Sequence, residues 1–445
     1  MNSILHICAP ASGHKGLGWN AWHTTNVLRA HGISADWVQV QERDIAAVVA
    51  RECPRVAVVM ALWVSTTTLA SLAQRFPGTT FVVKNHSGPQ FLSQEMRGWK
   101  LWLEAADLGA SKSNVAIAAI RPDLVDAMRA MGARCVELPN VYSLDEIEDA
   151  HAAMRTGDGR PKTEGETEDR GPQTGVSPRS SVLRPPSSPA EFHIGLFGAF
   201  RPLKNVVGMA TAAALATQTI LNDAADPRAV VVHINGSRVE MGANQDKANV
   251  EQICRRAGAG LVAHGWMDHD AFKALAATMD VCLCASFHDT YNYVAADCVT
   301  AGAPVVGSPS VYWLPRAQQV NPDSTAALAA AILKAPLWSR LIQLDALEDF
   351  NATAVRRLLE TLRGLGVATT EDRRPGTGDR RPGTGDRRPE TEDRRQTYPS
   401  SVLRPPSSSP SSVIPDECSR ERVPAAEPQQ TENISTGQPA AATAV

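Results

Sequence analysis

Short apolar runs alternate with longer stretches whose apolar residues recur every three or four positions. In the first part of the chain the runs lie at Ile4–Ala9, Ile33–Val40, Val56–Val64, Thr79–Lys84, Val115–Ile120 and Cys135–Leu138. A second set lies at His193–Phe197, Val230–Ile234, Leu261–His264, Val281–Ala285 and Pro304–Val306. Runs that are apolar throughout, rather than alternating, predict strands buried on both faces. The stretches between them predict helices; Phe272, Leu275, Ala276 and Met279, for example, mark one helical face. Strand and helix in alternation predict parallel sheets flanked by helices, an α/β fold in two halves. A last helical stretch, about Leu337–Leu365, follows the second half.

Two segments interrupt this pattern, residues 156–190 and 367–445. Both are rich in Pro, Ser, Thr, Gly and paired charges, which bury too little apolar surface to offset ordering entropy, so both are expected to be disordered. They share text: SSVLRPPSS stands at 180–188 and again at 400–408. The division expected is a first Rossmann-like domain at 1–155, the insertion at 156–190, a second domain at 191–339, a closing helix at 340–366 and the repeat tail at 367–445.

Composition narrows the classes. At 445 residues with 43% hydrophobic content, the chain can build two cores. A net charge of -3 leaves no basic footprint for nucleic acid. The longest apolar run is far below the roughly 20 residues of a spanning helix, and no signal peptide is evident. Eight cysteines without metal-type spacing suit a reducing compartment, so a cytoplasmic location is expected. Trp99 and Trp102, beside Arg97 and Lys100, offer a peripheral membrane contact or simple packing.

Candidate chemistry concentrates at Asp280–Pro309. An apolar strand runs into a polar turn with Asp289, a helix with Asp297, then Ala301-Gly302-Ala303-Pro304-Val305-Val306. The unit places two acids at the carboxyl edge of a parallel sheet, where open α/β folds bind ligands. Carboxylates there accept hydrogen bonds from vicinal hydroxyls of a sugar or ribose; helix capping by Asp289 and solvation of Asp297 are the plainer alternative. Upstream, Gly198-Ala199-Phe200-Arg201-Pro202-Leu203-Lys204-Asn205 joins a strand to a helix N-terminus, a setting that favours phosphate. Asn235-Gly236-Ser237 ends the next strand. Asp268-His269-Asp270 opens a helix, where capping accounts for both acids and no metal site is expected.

The Asp280–Pro309 stretch resembles the donor-site segment of glycosyltransferase family 4, retaining enzymes of the GT-B fold. That family has two Glu separated by seven residues, then Ala-x-x-x-Gly-x-Pro-Val-Val; Asp289, Asp297, Gly302, Pro304, Val305 and Val306 fall on those positions. Tyr291-Asn292-Tyr293 stands where the family has Gly-Phe-Gly. The resemblance implies two Rossmann-like domains facing across a cleft. It also implies transfer of a sugar from a nucleotide-sugar donor to an acceptor hydroxyl with retention, and no cofactor. Lys204, with Arg201 and Asn205, would hold the diphosphate, Asp289 the sugar, Asp297 the ribose, and Gly236 and Asn292 would line the donor.

In the first half, Gly16 and Gly18 belong to a Gly-rich connection after the first strand that, as the resemblance implies, would approach the donor phosphates or the acceptor; Gly16-Leu17-Gly18-Trp19-Asn20-Ala21 also fits the dinucleotide pattern. His86, at the end of the fourth run, is the candidate for a catalytic contact with a sugar hydroxyl or the leaving group, or else a structural loop histidine. The acceptor is carbohydrate, lipid or protein. Rival readings are a nucleotide-sugar epimerase, a non-catalytic nucleotide-sugar-binding protein and an NAD-dependent dehydrogenase.

Overall fold

Every apolar run forms a strand. The computed structural model describes residues 3–10, 16–88, 91, 96–155, 191–225, 228–240 and 242–367. The expected insertion and nearly all of the expected tail lie outside the described residues, as do His14 and Lys15. The first sheet holds β1 (Ile4–Cys8), β2 (Ala35–Gln39), β3 (Val56–Met60), β4 (Thr80–Asn85), β5 (Val115–Ala119) and β6 (Cys135–Glu137), all parallel, in the order β2-β1-β3-β4-β5-β6. The second holds β7 (Glu191–Leu196), β8 (Ala229–Asn235), β9 (Gly260–His264), β10 (Val281–Cys284) and β11 (Val305–Gly307), also parallel, in the order β11-β10-β7-β8-β9.

The helices connect these strands. In the first half they are α1 (Gly16–Ala30), α2 (Ile45–Glu52), α3 (Thr66–Arg75), α4 (Met96–Ser111), α5 (Pro122–Ala130) and α6 (Leu144–Arg155). In the second they are α7 (Val206–Leu221), α8 (Asn244–Ala257), α9 (His269–Ala276), α10 (Tyr293–Thr300), α11 (Thr325–Lys334) and α12 (Arg340–Gly364). Side chains alternate across a strand, so each continuous run serves two helical layers. Leu5, Ile7, Val59, Phe81 and Ile117 pack with α2, α3, α4 and α5. Ile4, Val56, Val58 and Val82 pack with α1 and the far end of α12. Trp102 is fully buried in the first of these cores and Trp99 packs against it, so packing accounts for the pair considered for a membrane surface. Among the described residues no single helix is long and apolar enough to cross a membrane.

The closing helix α12 belongs to both halves. Leu344 and Leu347 pack with Tyr291, Val299 and Val305 of the second, while Val355, Leu358 and Leu362 join the core of the first. Two buried amides on it satisfy strand-like backbone groups. Gln343 bonds both the N–H and the C=O of Val305, at 2.9 and 2.7 Å. Asn351 does the same for Tyr142, at 2.8 and 3.0 Å, and is itself wholly buried. Removing such a partner leaves buried groups with their desolvation cost unmatched, about 1–3 kcal/mol each. Asn351→Ala is therefore expected to lower unfolding free energy by about 2–4 kcal/mol, read as a fall in the urea midpoint at unchanged slope. A loss no larger than that of an exposed Ala substitution on the same helix would show that the clasp carries no stability.

Candidate active site

Both carboxyl edges meet at a seam. In the second sheet β7 lies between β10 and β8, so the winding reverses at β7 and β10, where open α/β sheets bind ligands. The segment after β7 carries Arg201, a turn of 3-10 helix at Pro202–Lys204, and Asn205, which opens α7 in the left-handed region at φ 54. The segment after β10 carries Asp289. Lys204 Nζ and Asp289 Oδ2 are 2.5 Å apart, with side chains only 12% and 6% exposed. Burial alone would raise the Asp289 carboxyl, but Lys204, with Arg201 and the Thr290 N–H, holds it below the usual carboxylate range. Ser286 Oγ donates to the same carboxylate at 3.2 Å. The pair is charged, dry and tied to two loops.

Unsatisfied donors flank it. Arg201 stacks its guanidinium over Phe91 of the first half, 5.1 Å from the ring, lies 3.8 Å from Glu240, and has a buried Nε without a hydrogen-bond partner. His288, next to Asp289, has a buried Nε2 without a partner. Orphaned buried polar atoms are rare in folded proteins and mark places where a ligand or water completes the structure. Asn205 is engaged otherwise: its Nδ2 donates to Ala285 O at 3.1 Å and to Pro322 O at 2.9 Å, so it fastens the loops around the pair. Gly236 lies flat against β9, where a Cβ would come 3.0 Å from Ala263 Cβ and 3.2 Å from His264 O.

Asn292 keeps a glycine's conformation with φ 65 and caps α10, its Oδ1 accepting from Ala295 N at 3.0 Å. Asn tolerates this region better than most residues with a Cβ. Its neighbours Tyr291 and Tyr293 turn into an aromatic cluster with Trp313 and Phe350.

Asp297 is buried, not solvated. Tyr142 Oη donates to its Oδ1 at 2.7 Å, and His269 Nε2 lies 3.1 Å from the same oxygen. Burial lowers the affinity of His269 for a proton, but Asp297 and Glu146 outweigh it and raise the imidazole above its ordinary value. Lys273 Nζ reaches Glu146 at 2.9 Å, which closes a bridge between α9 and α6. Around this network His23 stacks between Tyr142 and Tyr293, at 4.3 and 5.2 Å, and Trp19 lies against His269 at 4.3 Å. Glu146, His269 and Asp297 bring ligand atoms close enough to share a cation, as do His151, Asp345 and Glu348. In the first trio Lys273 and Tyr142 already bond the carboxylates. Asp268 caps α9 by accepting from Ala271 N at 2.8 Å, as expected for the Asp-His-Asp triplet, although its central His269 turns inward to Asp297.

On the first half's edge, Gly16 and Gly18 are not in a loop but in the first turn of α1, Gly16 exposed and Gly18 buried. Helix geometry leaves the first four N–H groups without intrahelical partners, so this turn can still meet an anion. The dinucleotide pattern does not hold its usual place, because it needs these glycines in the tight turn itself. Asn20, one turn on, bonds Asn140 at 2.9 Å and contacts the Tyr293 hydroxyl across the seam.

Lys84, at the end of β4, is 2% exposed. Its ammonium reaches Asn20 Oδ1 at 3.0 Å and Pro139 O at 3.5 Å, and no carboxylate pairs with it among the described residues. Burial lowers its pKa to about 7. His86 sits beside it, half-buried, held neutral by burial and by Lys84, with Nε2 unpartnered.

The edge thus brings together Lys204, Asp289 and Arg201, and Asp297 lies in the seam, while His86 lies on the first half's edge beside Lys84. Asn205, Asn292 and Gly236 shape the loops. Sequence reading gives no functional role to Lys84, Asn20, Tyr142 or His269, although Asn20 and His269 lie inside motifs that it marks. A lysine closing an apolar run directly before Asn85-His86 was the one signal for Lys84.

No protein-family model matches the chain, and no curated protein does. Solved structures match it. The UDP-forming α,α-trehalose-phosphate synthase of Burkholderia xenovorans superimposes with a TM-score of 0.54 at 12% identity, over 83% of this chain and 100% of that one. Sucrose-phosphate synthase of Thermosynechococcus elongatus gives 0.51 at 14% identity, over 82% and 99%. Anabaena HepE, solved with UDP and glucose, gives 0.50 at 13% identity, over 82% and 98%. Such likeness concerns the fold: the chain has the GT-B architecture of two Rossmann-like domains facing across a cleft.

The Lys84 environment has a measurable consequence. Its folded pKa of about 7 lies below the unfolded value, so between the two the unfolded chain holds the extra proton. Its contribution to stability is worst below about pH 7 and recovers as pH rises toward about 10.4. Lys84→Met should flatten the rise in unfolding free energy over that window by up to ~1.4 kcal/mol per pH unit. Identical slopes for the two proteins in urea titrations would refute the buried, unpaired state.

Proposed function

We propose that the chain transfers a sugar from a nucleoside-diphosphate-sugar to an acceptor hydroxyl, with retention at the anomeric carbon. The observation that carries this reading is the buried Lys204–Asp289 pair at the switch point of the second sheet, flanked by the unpartnered Arg201 Nε and His288 Nε2. Lys204 and Arg201 supply positive charge where a diphosphate leaving group would sit, and the N-terminus of α7 adds its dipole. Asp289, kept ionised, accepts hydrogen bonds from sugar hydroxyls. Asp297 is the ribose acceptor through Oδ2, since Tyr142 and His269 both meet Oδ1. His86, held neutral, donates or accepts a hydrogen bond without adding charge. The C1–O bond to the phosphate breaks, the acceptor oxygen bonds C1 on the same face, and its proton passes to the departing phosphate. The residue pattern of family 4 supports retention, and the UDP bound to HepE and the UDP-forming reaction named for the Burkholderia xenovorans synthase make UDP the first nucleotide to try.

One observation favours a second reading, nucleotide-sugar binding without transfer. Tyr291 and Tyr293 occupy positions where bare glycine backbone would otherwise approach the donor, and both are built into the seam. Release of UDP from UDP-sugars, assayed over a panel of acceptors, separates the readings.

Lys204→Ala should weaken UDP binding by roughly 10–100-fold, as for a lost hydrogen bond to a charged group, and leave uridine binding unchanged. Calorimetric titration with both ligands tests this; equal losses would remove the diphosphate role. The double variant Lys204→Met, Asp289→Asn guards against misfolding, since it leaves no buried charge unpaired.

A further inference from the structure

A cavity of about 460 Å³ lies beside the Asp289 loop. Its walls come from three places: the ends of β5 and β6, the segment after β11, and the middle of α12. Its size falls within the ~300–1,000 Å³ typical of small-molecule sites. It adjoins the donor acid. Tyr312, in the wall, donates its hydroxyl to Thr290 O at 3.0 Å, and the Thr290 N–H donates to Asp289 Oδ1 at 3.1 Å. A molecule against Tyr312 is therefore one residue removed from the carboxylate assigned to the donor sugar.

The chemistry of the walls selects among acceptors. Two cations line the cavity, and each is matched by a carboxylate that also lines it. Arg121 forks onto Asp123 with contacts of 3.0 and 2.7 Å, and Arg357 reaches Glu137 at 3.1 Å. No excess positive charge remains to favour a phosphate. Paired guanidinium and carboxylate groups still offer donors and lone pairs at their outer edges, which suits hydroxyls that both give and accept. The other surfaces are apolar and flat: Tyr312 and Phe350 meet edge to face at 5.3 Å, with Ile120 and three prolines around them. A pyranose presents an apolar C–H face and a rim of hydroxyls, which matches a site of this make-up.

We infer that this cavity is the acceptor subsite and that it takes a neutral, unphosphorylated sugar. The assignment of acceptor rests on the sugar-transfer reading; the sugar site itself does not. Both domains and α12 build the wall, so the site is complete only with the two halves together.

The test uses the full chain and saturation-transfer NMR with three probes: methyl α-glucoside, maltose and glucose 6-phosphate, each with and without UDP. UDP affinity is measured separately by calorimetry. Both neutral probes should bind, and glucose 6-phosphate should bind no tighter than methyl glucoside. Thr353→Trp, which fills the cavity from α12, should cut neutral-sugar affinity by at least about tenfold and leave UDP affinity unchanged. Arg357→Ala, at an exposed position, should give the same direction if the larger residue prevents folding. Neutral-sugar binding that survives both variants would overturn the proposal. So would a tenfold preference for glucose 6-phosphate, or a wild-type protein that binds UDP but neither neutral probe. A protein that binds neutral sugars in this cavity but not UDP would uphold the sugar site and sink the donor reading instead.

Discussion

A carboxylate taken out of water must be met by a cation or by several donors, and the meeting of Asp289 with Lys204 organises the second domain's edge. The two residues come from different crossovers, after β10 and after β7, so their contact fixes one loop against the other. The backbone follows: Phe287 N donates to Leu203 O at 3.0 Å, and Asn205 bonds Ala285 and Pro322. Buried ion pairs add little net stability relative to well-packed apolar residues, because desolvation offsets their attraction. Keeping one at a switch point, with unpartnered donors beside it, is better explained by what it holds ready than by what it stabilises.

The second acid is handled by the opposite rule. Asp297 faces the seam and is met by groups from both halves, Tyr142 from the segment after β6 and His269 from α9. Its bonding therefore depends on the domains being together. The same tyrosine's backbone is clasped by Asn351 of α12, so one residue links the segment after β6, the closing helix and the acid. Interdomain surfaces within a chain resemble transient interfaces, and relative motion is the ordinary expectation. Here such motion would change the bonding of Asp297 directly.

The strands were legible because parallel sheets need apolar residues on both faces, and runs such as Val56–Met60 and Val115–Ala119 leave no other reading. The closing helix was legible to within a few residues. The ion pair was half legible: Lys204 and Asp289 were each foreseen as ligand contacts, but 85 residues of sequence hide that they touch each other. Asn205, following Lys204, suggests a donor contact, but its left-handed backbone turns the amide to the loops. Glycine so often marks a loop that Gly16 and Gly18 suggest one, yet they begin a helix. His269, Tyr142 and Lys84 act through partners far along the chain, and no local pattern encodes a distant partner.

Asn292 carries a lesson about what a motif records. Its backbone holds φ 65, the shape a glycine would give, while its side chain caps the following helix. The family's glycines fall on Tyr291 and Tyr293, while the left-handed φ falls on Asn292 between them. Matching letters would look for the special backbone at positions 291 and 293, whereas the fold puts it at 292. A residue able to hold that φ can thus stand one position away from the letters that usually mark it, so the shape of a turn is carried by its backbone and not by its glycines.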